Sequence, residues 1–205
     1  MQEAKGNSKY KMSLKDKILE VAMKNFALHG IRAVKMDDIA SQLGISKRTL
    51  YEIYFNKEEL LYEGVIKYES EKQKSFSDFA GQATNVMEIL KEFYRRKTQE
   101  LSIINPAFFA DMRKYPKVVA YLENQHKNIN DQQTKFFKRG ISEGYFRREI
   151  NYEILRFTLE AIGDSLADHE ILKKYPVNEI FSNIFFVTLR GMCTQKGIAA
   201  LESLE

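Results

Sequence analysis

Apolar residues recur at the helical period of 3.6 along most of this chain, and β-type alternation is hard to find. In the first such segment Leu14, Ile18, Ala22 and Phe26 share one face, and Gly30 supplies the stop. A chain patterned this way must bury helical stripes against one another. Proline (3) and glycine (10) are scarce, so few breaks interrupt it. Asn105-Pro106, Tyr115-Pro116 and Tyr175-Pro176 mark three of them, because proline disfavours the α region for its predecessor and fits a first helical turn. The pattern predicts an all-α fold of about nine helices, near 14–28, 36–43, 47–54, 58–80, 85–102, 106–114, 117–143, 152–173 and 178–196. Asn56 is the expected cap of the fourth, with Glu59 completing a capping box. Gly144 reads as a C-cap.

Composition narrows the class. Hydrophobic residues make up 44% and charged residues 29%, the mix of a soluble globular chain. No apolar run approaches the roughly 20 residues that span a bilayer, and Met1 to Lys17 lacks the apolar centre of a secretory signal. A cytoplasmic protein without membrane contact is expected. Cys193 is the one cysteine, which excludes an intrachain disulfide and a thiolate metal cluster. Its apolar neighbours Leu189 and Met192 suit a packed core residue.

The net charge of +4 is unevenly spread. Through Lys57 the chain carries 11 Lys and Arg against 6 Asp and Glu, whereas the remaining 148 residues carry 21 against 22. The positive excess therefore lies in the first quarter, which points that segment towards a polyanion. There, residues 37–51 have the spacing of a helix-turn-helix. Ile39, Ala40, Leu43, Ile45 and Leu50 are the apolar set, Gly44 makes the turn and Ser46 caps the second helix. Lys47, Arg48, Thr49 and Tyr51 are then expected to point outward where a recognition helix meets base edges and phosphates.

Ile18 to Ala22, Phe26-Ala27, Gly30, Asp38-Ile39-Ala40, Gly44-Ile45-Ser46, Thr49-Leu50-Tyr51 and Asn56 to Leu61 together resemble the TetR-type signature in order and spacing. The resemblance spans about 45 residues, with weaker echoes at Gly144, Phe146 and Leu189-Arg190-Gly191. Two positions depart from the usual pattern: Lys35 stands where Thr or Ser commonly caps the second helix, and Ile53 where His or Tyr often contacts phosphate. The resemblance implies a helix-turn-helix domain at 1–57 with a basic arm at 1–13, a connecting helix at 58–80, and a ligand-binding and dimerisation domain at 81–205. Lys47, Arg48 and Thr49 would read bases or adjacent phosphates, and Tyr51 a phosphate or a thymine methyl. Ser46, Lys57 and Lys35 would clamp the backbone. Lys5, Lys9, Lys11, Lys15 and Lys17 would either follow the minor groove or remain solvated. The implied activity is that of a sequence-specific regulator, a repressor released from a palindromic operator by a small molecule.

The later helices have two apolar faces each. Leu155, Leu159, Ile162 and Leu166 form one and Ile154, Phe157 and Ala161 another; in the last helix Ile180, Ile184 and Val187 contrast with Phe181, Phe185 and Met192. Helices apolar over most of their girth are buried on both sides, so a homodimer through the last two helices is expected, with Gly163 and Gly191 allowing close approach. Val119, Leu122, His126, Ile129, Gln133, Phe136 and Gly140 share a stripe in which His126 and Gln133 are polar. Buried polar groups need partners, supplied either by neighbouring backbone and water or by a bound molecule. His126 and Gln133, with Phe93, Phe108, Phe109, Met112, Phe137 and Phe157, are the candidates for lining an apolar or aromatic effector. No cofactor is expected. Asp164, Asp168 and His169 are spaced for a metal but read as a solvated face. His29, His126 and His169 come without a nucleophile motif or phosphate loop, so an enzyme is not expected. A regulator acting through a protein partner, with DNA as scaffold, is the second reading.

Overall fold

The computed structural model describes residues 2–128, 130–166 and 171–202, and the side chains of residues 12–125, 132–163, 165, 171–172 and 174–202. Ile129, Asp168 and His169, with the side chains of Lys5, Lys9, Lys11, His126, Asp164 and Leu166, lie outside the described residues. The elements are α1 (Gln2–His29), α2 (Met36–Gln42), α3 (Lys47–Ile53), α4 (Lys57–Gln82), α5 (Val86–Ile103), α6 (Pro106–Met112), α7 (Pro116–Asn128), α8 (Asn130–Ser142), α9 (Tyr152–Leu166), α10 (Ile171–Lys174), α11 (Val177–Met192) and α12 (Gln195–Leu201). No strand occurs among the described residues, so the chain is all-α; Phe146 and Cys193 form an isolated antiparallel bridge. Among the described residues twelve helical segments stand where about nine were expected. The expected last helix divides because Arg147 N donates to Met192 O (2.9 Å) and Thr194 N to Tyr145 O (2.9 Å). That exchange pulls Cys193 into an extended conformation, and Thr194 then caps α12 by accepting from Gly197 N. α1 begins at Gln2, upstream of the expected start.

The chain forms two compact units. One runs through Lys72 and takes back Ile104–Leu122; the other holds Gln73–Ile103 and the chain from Glu123 onward. In the first, Ile18, Ala22 and Phe26 of α1 close over Ile39 and Ala40 of α2, Leu50 of α3, Tyr54, and Leu60 and Leu61 of α4, all buried. Each buried large aliphatic or aromatic side chain contributes about 1.5–3 kcal/mol of transfer free energy. Asn25 Nδ2 donates to Gln42 Oε1 (2.7 Å), tying α1 to α2. The returning segment is pinned by Asn105 N donating to Ala27 O (2.7 Å), and Asn105 Oδ1 caps α6 by accepting from Ala107 N. Phe108 and Val118 enter the same core.

In the second unit Val86, Met87 and Leu90 of α5 pack with Phe146, Leu189, Met192, Cys193 and Leu201. Glu143 Oε2 accepts from Val86 N (2.8 Å), and Arg139 Nη2 donates to Ala83 O (2.8 Å), holding α8 to the start of α5. Gly144 has φ +78°, the left-handed cap expected of it. The ring of Phe146 lies over Gly140, where a Cβ would come within 1.9 Å of it.

Candidate nucleic-acid interface

The helix-turn-helix is built by short-range bonds. Asp38 Oδ2 accepts from Lys35 N (3.1 Å), so the third residue of α2 secures its entry while the exposed Lys35 side chain makes no cap bond. Gly44 takes φ +65°, a conformation costly for residues with a Cβ, and Ile45 N donates to Ala40 O (3.0 Å) to close the turn. Ser46 Oγ then accepts from Thr49 N (3.0 Å) and fixes the start of α3.

Leu50 is the buried anchor of α3. Lys47, Arg48, Tyr51 and Glu52, at i, i+1, i+4 and i+5, share the opposite, exposed face. Thr49 is half-buried, its hydroxyl 2.8 Å from Ser46 Oγ, so it turns to the edge of that face instead of standing out with its neighbours. The cations on this face are paired. Lys47 Nζ bonds Asp37 Oδ2, and this bond holds its ammonium pKa above the ordinary lysine value. Arg48 Nε donates to Glu52 Oε1 (2.8 Å), which raises the guanidinium likewise. Ile53 packs against the core, and the Tyr54 hydroxyl donates to Glu63 (3.0 Å).

Lys57 is half-buried. Its ammonium donates to Ile31 O (2.9 Å) and Arg32 O (3.5 Å), and burial pushes its pKa down. Glu59 Oε2 accepts from Phe55 N (2.9 Å), one residue earlier than a capping box would have it, while Asn56 Oδ1 accepts from Glu59 N (2.9 Å) as expected. Of the basic arm, Lys15 bonds Glu63 (2.7 Å).

Residues 18–63 match the family described as bacterial regulatory proteins, tetR family. The HTH-type transcriptional repressor KstR2 of Mycobacterium tuberculosis is 24% identical over 149 residues, covering 70% of this chain and 74% of that protein. Residues 18–63 thus carry the DNA-binding segment of the TetR family. An HTH-type regulator of Bacillus subtilis, YvaF, is 31% identical over 81 residues, 39% of this chain and 43% of that one. The solved structure of KstR2, a ketosteroid transcriptional regulator, superposes with TM-score 0.54 at 21% identity, covering 88% of this chain and 95% of that one. A putative transcriptional regulator from Saccharomonospora viridis, in complex with choline, superposes with TM-score 0.72 at 17% identity, covering 90% and 100%. With that segment, and with a transcriptional repressor matched over 74% of its length, this chain is a DNA-binding transcriptional regulator.

The effector candidates are divided between the two units. Phe108 and Met112, with Phe109, pack on the core of the first unit. Phe93 joins the second unit's aromatic cluster, 6.0 Å from Phe185 and 6.2 Å from Phe181. Phe137 stacks on Tyr152 at 4.5 Å. Phe157 is 69% exposed and lines no interior. Gln133 Oε1 is buried without a hydrogen-bond partner. A cleft of about 550 Å³ lies between the Arg147–Glu149 turn, the end of α11 and the start of α12, and none of the candidates lines it.

The spacing did not single out Asp37 and Glu52, which pair with the cations of the recognition face, nor the 81% exposed Phe55 that follows α3. The carboxylates carried a usable signal: Glu52 is four residues beyond Arg48, the spacing of a helical ion pair. No helix among the described residues is long and apolar enough to cross a membrane.

Proposed function

We propose that this chain is a cytoplasmic, two-fold dimeric repressor whose α3 helices enter successive major grooves of a palindromic operator and leave it when a small apolar or aromatic molecule binds. The observation that carries the reading is the exposed face of α3, where Lys47, Arg48, Tyr51 and Glu52 project from a helix fixed by the Ser46 cap and the Leu50 anchor. Thr49 touches DNA from the rim of that face, and Lys35, Ser46 and Lys57 flank it on the phosphate side. In this scheme residues 1–57 read DNA, 58–80 connect, and 81–205 carry dimer and effector functions.

Dimer formation is supported by an unpartnered apolar stripe in the second unit. Ile154 (62% exposed), Phe157 and Ala161 follow one another on the outer face of α9, and Val187 (73%) stands out on α11. Burying such a stripe against its own copy yields an isologous interface. A Cβ on Gly163 or Gly191 would meet nothing within 4 Å in this chain, which leaves room for a second backbone. Effector binding is supported by Gln133, whose buried Oε1 would accept a hydrogen bond from a bound molecule. That KstR2 is a ketosteroid regulator and another structural neighbour holds choline favours small organic effectors in general.

The test is footprinting on genomic fragments retained by the purified chain. The reading expects two protected half-sites about 34–36 Å apart, two chains per site, and release of the DNA by a steroid ketone, an aromatic compound or an organic extract of the source cells. Protection of one half-site by one chain would refute the dimer, and DNA retention in every extract would refute the effector.

A further inference from the structure

On the recognition face of α3 a carboxylate stands where a surface made only to attract phosphate would carry none. Glu52 is 60% exposed at its side chain, lies one helical turn beyond Arg48, and accepts a hydrogen bond from Arg48 Nε at 2.8 Å. This arrangement has two consequences in a major groove. The bond to Nε restrains the plane of the guanidinium and engages Nε alone, so the Nη edge can serve guanine O6 and N7. The carboxylate itself can only accept hydrogen bonds. Guanine and thymine offer acceptors to that groove, whereas cytosine N4 and adenine N6 offer protons, and cytosine presents no acceptor beside its amino group.

We propose that Glu52 is a specificity-determining residue of the DNA interface: paired with Arg48, it selects a cytosine adjacent to the guanine that Arg48 binds. The proposal rests on α3 entering the major groove. There Glu52 weakens binding to DNA at large, through repulsion from the phosphates, and recovers that loss only where an exocyclic amino group meets its oxygen. Discrimination at its position falls between about fivefold and 150-fold against the wrong base. The neighbouring pair works differently: Asp37 belongs to α2 and bonds Lys47 from outside the recognition helix, so it modulates a cation without joining the Arg48 row.

The experiment is selection of bound duplexes from a randomised library by the full chain, run in parallel for wild type, Glu52→Ala and Arg48→Ala, with thermal melts to show that each is folded. Wild type should enrich a guanine with a neighbouring cytosine in each half-site. Glu52→Ala should lose the cytosine, keep the rest of the site and bind unrelated DNA more tightly; Arg48→Ala should lose the guanine. Identical base preferences in wild type and Glu52→Ala overturn the proposal while leaving the α3 reading intact. No base preference in wild type overturns both.

Discussion

Asp111 Oδ2 accepts the backbone N–H of Arg32 at 2.8 Å, joining α6 to the turn that follows α1 across 79 residues of sequence. Asp111 is 7% exposed, and it is the buried charged side chain among the described residues. Its other oxygen receives Lys114 Nζ at 3.3 Å, and its charge favours the nearby ammonium of Lys57. Asp111→Ala leaves the Arg32 N–H without its acceptor and the half-buried ammonium of Lys57 without a nearby negative charge. A loss of about 1–3 kcal/mol follows, to be read from urea denaturation. Asp111→Asn keeps an acceptor for Arg32 and should lose less.

Lys57 distinguishes two roles in one residue. Because its ammonium bonds the carbonyls of Ile31 and Arg32, Lys57→Met should lower stability by about 1–3 kcal/mol, the cost of a charged hydrogen bond inside a folded unit. If it also meets a phosphate, the slope of log binding constant against log salt should shallow by about one. Melting with an unchanged slope would leave it a structural residue only.

Gly140 and Gly64 predict different tolerances. A Cβ on Gly140 would press within 1.9 Å of the buried Phe146 ring, which is held by the bridge to Cys193. Gly140→Ala should destabilise by about 1–3 kcal/mol or more. At Gly64 the atoms met are Met23 Sδ at 2.5 Å and Cγ at 2.7 Å, in an unbranched, flexible side chain that can change rotamer. There the alanine's helix propensity, worth about 1 kcal/mol, offsets the repacking. Calorimetric melts of the two variants should separate clearly, and equal melting temperatures would contradict the packing described.

Cys193 is buried, and desolvation pushes its thiol up to about 11. The folded chain therefore holds this proton more tightly than the unfolded one, so the stability associated with it is intact below pH 9 and falls as pH rises towards 11. Cys193→Ala should remove that part of the slope. Native protein should resist iodoacetamide at neutral pH and react once unfolded; rapid native labelling would count against the burial.

Local signals made the recognition unit legible and long-range ones hid its limits. Gly44 and Ser46 behave as their chemistry dictates, and Leu14, Ile18, Ala22 and Phe26 bury the face their spacing defines. That Ile104–Leu122 folds with the N-terminal helices could not be read from periodicity, because it depends on Asn105 reaching Ala27 and Asp111 reaching Arg32. The bond between the Thr49 and Ser46 hydroxyls, and those from Lys57 to two carbonyls, likewise leave no mark in the spacing. The effector residues were drawn from one helical stripe and from aromatic content. Neither says which rings fill a core, as Phe108 does, and which face solvent, as Phe157 does.

Fluorescence anisotropy of the purified chain on the DNA immediately upstream of its own gene, at two salt concentrations and against an unrelated fragment, decides whether α3 reads an operator. An operator-reading dimer binds tightly at the higher salt, with two chains per site and a clear preference over the unrelated fragment. Equal, steeply salt-dependent binding to both would mean that the α3 face meets only phosphate at this locus, and would contradict an operator there.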